Sequence, residues 1–181
     1  ADGPPPTTRQ AMLELDESSS PALDDEAVAT YQDKGYLALR AVFDPPTIET
    51  FRLESERVFG DAEVSHPDNL RAQCRASLDG GQIVDRLDPV IDLSDAFREA
   101  AESPALLAAV GRLLGEDARL FKDKLIVKPA GAHGYSIHQD FTLYQELGVP
   151  AEELITVCVG IDAATAANGA TFFYPGLHHQ H

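Results

Sequence analysis

An imidazole and a carboxylate stand two residues apart in Tyr135-Ser136-Ile137-His138-Gln139-Asp140-Phe141. The segment alternates like a β-strand, and residues i and i+2 of a strand point to one face, so His138 and Asp140 can grip one metal ion from the same side. A His-x-Asp pair with one further His makes a facial set of three ligands, which suits Fe(II) and leaves positions open for O2 and a co-substrate. The bare motif is weak, because six His and seventeen Asp in 181 residues supply about 0.6 such pairs by chance. A surface His beside a solvated Asp is the plain alternative. Position favours the metal: the pair follows the turn Gly131-Ala132-His133-Gly134 and precedes the apolar run Leu154–Ile161.

The elements that must hold the pair can be read from caps and periodicity. Asp24 caps a helix that runs to Lys34 and stops at Gly35, and Asp44-Pro45-Pro46 opens a second that runs to Phe59 and ends at Gly60. Ser94 caps a third helix, and Ser103-Pro104 opens a fourth that Gly115 ends. Strands are expected at Tyr36–Arg40, Arg71–Ala76, Leu120–Lys128, Tyr135–Phe141, Leu154–Ile161 and Ala170–Tyr174. Helices first and strands later predict an α+β domain whose sheet part is a barrel or jelly roll. Residues 1–22, with Pro4-Pro5-Pro6, Ser18-Ser19-Ser20 and scattered acids, read as a disordered or loosely packed acidic arm, and residues 23–181 as the folded domain.

Composition narrows the function classes. A net charge of −16 and the lack of a basic stripe argue against a nucleic-acid partner. No apolar stretch is long enough to span a bilayer, so no membrane partner is expected. Cys74 and Cys158 are far apart and read as buried free thiols of a reducing cytoplasm.

Phe43-Asp44-Pro45, Leu113-Leu114-Gly115, Lys122-Asp123-Lys124 and Lys128-Pro129-Ala130-Gly131 stand in order before the metal pair, and Asn168-Gly169-Ala170 and Tyr174-Pro175-Gly176-Leu177-His178 follow it. With Gly35-Tyr36-Leu37 at the front, this succession resembles the phytanoyl-CoA dioxygenase family of Fe(II)- and 2-oxoglutarate-dependent oxygenases, over residues 24–181. The resemblance implies a double-stranded β-helix (jelly-roll, cupin-like) core behind N-terminal helices. It also implies Fe(II) on His138, Asp140 and a distal His, with 2-oxoglutarate and O2 as co-substrates, and hydroxylation of a small molecule with release of succinate and CO2. Arg86, Lys124 and Cys158 match positions that face 2-oxoglutarate, and Tyr144 matches an aromatic that faces substrate. Each has a plain alternative: surface ion pairs with Asp85, Asp88 or Asp123 for the two cations, and core packing for Cys158 and Tyr144.

The family's distal His and the Arg that binds the co-substrate lie well past the His-x-Asp pair, and after Lys128 this sequence has no Lys or Arg. The expectation is a chain truncated before the last barrel strands. His178, His179 and His181 offer a substitute ligand or a solvated turn. Two other functions stay open: a non-catalytic β-helix binding module without a complete triad, and a cupin-like enzyme using Zn or Mn.

Overall fold

The fold is that of a computed structural model, and it describes residues 23–180; the expected arm at 1–22 lies outside them. Mixed helix and sheet surround a small antiparallel sheet. The helices are α1 (Asp25–Lys34), α2 (Pro45–Gly60), α3 (Asp95–Ala101) and α4 (Pro104–Leu114). Each begins where a short polar side chain meets orphan amides. Asp24 accepts from the Ala27 amide at 2.8 Å and Asp44 from the Thr47 amide at 2.9 Å, while Ser94 and Ser103 cap α3 and α4. Gly35 and Gly115 close α1 and α4 in the left-handed conformation that a β-carbon disfavours.

The strands β1 (Ala72–Ala76), β2 (Gln82–Leu87) and β3 (Leu125–Ile126) pair in the order β1-β2-β3. The β1–β2 hairpin turns through Ser77–Gly81, and a bulge between Gln73 and Cys74 leaves Asp85 without a partner across the ladder. Leu87 pairs with Ala72 on one side and Leu125 on the other. These three, with Val58 of α2 and Val90, form the main buried cluster, against which Phe59, Leu93, Phe97 and Ile161 pack. A second cluster of Leu23, Ala27 and Ala109 joins α1 to α4. No helix among the described residues is long and apolar enough to cross a membrane.

Several expected strands are corrected. Tyr36–Arg40, Tyr135–Phe141, Leu154–Ile161 and Ala170–Tyr174 form no ladder, and Leu120–Lys128 contributes only Leu125–Ile126. Apolar alternation marks a segment able to pair, but a strand also needs a neighbour to accept its amides. Among the described residues the first four of these segments join no sheet. The cysteines are free, as expected, but both are exposed rather than buried.

Candidate metal centre

His138 and Asp140 meet without a sheet beneath them. Asp140 opens a single 3-10 turn, Asp140–Leu143, and Gln139 before it is extended, with φ −108° and ψ 130°. One extended residue between the two is enough to turn both side chains to the same side. His138 Nε2 lies 3.2 Å from Asp140 Oδ1. His138 Nδ1 donates to the Ser136 carbonyl at 2.7 Å, so that in the neutral ring Nε2 carries the lone pair. Asp140 Oδ2 accepts from the Thr156 hydroxyl at 2.7 Å and lies 4.0 Å from Lys124 Nζ.

In the neutral ring the two lone pairs face one another and repel unless a cation, a proton or a metal ion, sits between them. Two ligand atoms about 2.1 Å from one ion and at right angles about it are about 3 Å apart, which agrees with the observed separation. The atoms turned away from that point are each held by a neighbour, as metal ligands ordinarily are. The pair therefore fits a metal ion. Both side chains are partly exposed, so the point is open to ligands from solvent. Among the described residues no group of three His, Cys, Asp or Glu side chains gathers.

Gln139 ties the pair to the end of the described chain: its side-chain Nε2 donates to the Leu177 carbonyl at 2.7 Å and the Gln180 carbonyl at 2.9 Å. His178 is not directed to the metal pair. Its Nε2 is 3.1 Å from the Gln32 carbonyl and its ring presses on Gly35. It packs against the end of α1 from the 3-10 turn Leu177–His179.

The other expected site residues separate into two groups. Lys124 Nζ lies near Asp140, 4.0 Å from Oδ2. The Cys158 thiol is pushed up, first by desolvation, although the residue as a whole is exposed, and next by the Asp140 carboxylate, with Lys124 and Lys128 opposing. Arg86 lies on β2 opposite Ile126, so it shares the sheet face of Ile126 and, by alternation, of Lys124. Its Nε is buried and has no hydrogen-bond partner. The acids that could have paired with it are engaged elsewhere: Asp85 with Arg75, Asp88 with Lys122, and Asp123 with the Val90 and Ile91 amides. The Tyr144 ring is edge-on to Phe121 at 5.4 Å, with Lys122 Nζ 6.0 Å from its centroid.

Sequence reasoning missed Ser136, Thr156 and the Arg75–Asp85–Tyr135 group. Ser136 acts through its carbonyl, which has no side-chain signature, and Thr156 lies sixteen residues from its partner.

The model of the family described as phytanoyl-CoA dioxygenase (PhyH) matches residues 31–181. Methylphosphonate hydroxylase of Gimesia maris is 33% identical over 93 residues, 51% of this chain and 34% of that protein. Ectoine dioxygenase of Streptomyces avermitilis is 25% identical over 152 residues, 82% of this chain and 50% of that protein. A 2-aminoethylphosphonate dioxygenase from an uncultured bacterium is 24% identical over 145 residues, 80% and 54% of the two chains. The chain thus spans about half the length, or less, of these relatives. The match of the family model covers well over half of the chain, and the chain belongs to the phytanoyl-CoA dioxygenase family.

Proposed function

We propose that the chain is the metal-binding part of an Fe(II)- and 2-oxoglutarate-dependent oxygenase acting on a small molecule. The observation that carries this reading is the 3.2 Å approach of His138 Nε2 to Asp140 Oδ1, with the far atom of each side chain held by Ser136 and Thr156. His138 and Asp140 would hold the metal, and a third ligand would come from outside residues 23–180. Bound iron with 2-oxoglutarate and O2 supplies the oxidising power that places oxygen into a C–H bond, with succinate and CO2 as co-products.

The residues of this chain bind and orient. Lys124 offers a cation beside Asp140, where a dicarboxylate would approach. Arg86, with its buried unpaired Nε, offers a second on the same sheet face. Cys158 would border the co-substrate and Tyr144 the substrate. A double-stranded β-helix would be the complete architecture, and the cytoplasm its compartment. The relatives named for phosphonates and ectoine support a small polar substrate, and the acidic charge supports a partner other than nucleic acid.

The full-length protein, supplied anaerobically with ferrous iron and 2-oxoglutarate and then with O2, is expected to release succinate, and His138→Ala or Asp140→Ala is expected to abolish the release. Succinate formation unchanged in both variants would overturn the assignment. The reading as a non-catalytic binding module draws on the absence of a gathered third ligand among the described residues; it prevails if the full-length protein binds no iron.

A further inference from the structure

Asp85 is a carboxylate buried to 3% exposure on the inner strand of a small sheet. Burying such a charge is costly unless it is paired and hydrogen-bonded, and its two partners come from different places. Arg75 Nε of β1 donates to Asp85 Oδ2 at 2.6 Å, and the Tyr135 hydroxyl donates to the same oxygen at 2.9 Å. The Arg75 guanidinium also lies 3.4 Å from the centre of the Tyr135 ring, close enough for a cation–π contact, and its Nη1 is 3.4 Å from the Gly134 carbonyl. Asp85 is itself the extra residue of the bulge in β2, facing the Gln73–Cys74 step of β1, and this makes the convergence possible, because bulges re-aim side chains on the strands they interrupt.

The group joins the hairpin to the segment that carries the metal pair. The same segment is pinned by backbone: the Leu78 amide donates to the Gly131 carbonyl at 2.8 Å, and the His133 amide to the Ala76 carbonyl at 3.3 Å. Beyond His133 the Gly134 carbonyl meets Arg75 Nη1 at 3.4 Å. Tyr135 is the next tether, and one residue later Ser136 presents the carbonyl that orients His138. The Tyr135 and His138 rings are 6.5 Å apart, so Tyr135 does not reach the metal point.

We propose that Arg75, Asp85 and Tyr135 form a clamp that sets the orientation of the His138 imidazole by fixing the backbone at Ser136. Asp85 and Tyr135 are positioning residues. The proposal rests on the metal-binding reading above, and it adds a fixed lever between the hairpin and one ligand. Tyr135→Phe removes only the hydroxyl and keeps the ring under Arg75; Asp85→Asn keeps the shape and removes the charge.

The test uses the full-length protein with 15N-labelled histidine, at a pH where the rings are neutral, with the His138 signal assigned through His138→Gln. In both variants the His138 ring nitrogens are expected to move toward the tautomer-averaged position while those of His66, in the distant 61–70 loop, stay fixed. Co(II) affinity is expected to fall by about tenfold. If Asp85→Asn does not fold, Tyr135→Phe decides alone. His138 nitrogen shifts unchanged in Tyr135→Phe would overturn the clamp, as would a Co(II) affinity equal to wild type. If wild type binds no Co(II) yet the His138 nitrogens respond, the metal reading fails and the clamp stands. A general loss of packing would move His66 as well, and that result also counts against the clamp.

Discussion

Asp140 has a separate task on each oxygen. Oδ1 points to His138 Nε2, while Oδ2 takes the Thr156 hydroxyl at 2.7 Å. A carboxylate free to rotate about its last bond would present either oxygen to a metal, and the Thr156 bond selects one. Thr156→Val keeps the shape and removes the donor. It is expected to lower metal affinity by about tenfold while leaving thermal stability within about 1 kcal/mol, since the hydroxyl is exposed. Titration of Co(II) into the variant beside a thermal melt checks both. Lys124, 4.0 Å from the same oxygen, is at the outer limit of an ion pair; it is better placed to meet an incoming anion than to hold Asp140 alone.

At the scale of elements, the end of α1 is packed by chain from the far end of the described region. The Gly176 amide donates to the Lys34 carbonyl at 3.0 Å, Phe173 stacks on Tyr36 with 5.1 Å between centroids, and His178 lies over Gly35. A β-carbon on Gly35 would come within 2.2 Å of His178 Nδ1, at a φ of +77° that already disfavours one. Gly35→Ala is expected to destabilise the fold by about 2 kcal/mol or more, read from denaturant midpoints. At the joint between α2 and α3, hydrogen bonds from Arg57 and Ser94 hold the Glu54 carboxyl down at about 2. A depressed carboxyl contributes stability in full above its ordinary value of 4.5 and loses it as the pH falls toward about 2. Glu54→Gln is therefore expected to flatten the acid limb of a stability–pH curve in that window, measured by unfolding at fixed denaturant. The helix starts were legible at this scale because a cap and its amide partner lie three residues apart, as at Asp24 with Ala27 and Asp44 with Thr47. The strands were less legible, because alternation in Leu154–Ile161 says which residues want cover and not whether a neighbour is there to pair.

Across the whole molecule, burial is concentrated in the helices and the small sheet. Toward the end, apolar side chains face solvent: Ile137 is 68% exposed, Phe172 72%, Phe173 55% and Val157 45%. Large apolar side chains left in solvent in such number mark surface suited to being covered. The 181-residue chain by itself is expected to bind the dye ANS under native conditions, and Phe172→Ser is expected to reduce that fluorescence without lowering the melting temperature. Dye binding equal to that of an ordinary folded protein would show that the surface is smaller than it looks here. The sequence by itself determined what is local: the helix caps, the glycine stops, and a His and an Asp one residue apart that an extended Gln139 turns to one side. Only the tertiary structure decided what is distant. It brought Thr156 to Asp140 and Asp85 to Tyr135, sent His178 to Gly35, and left Arg86 Nε unpaired, because each depends on which segments the packed core brings together.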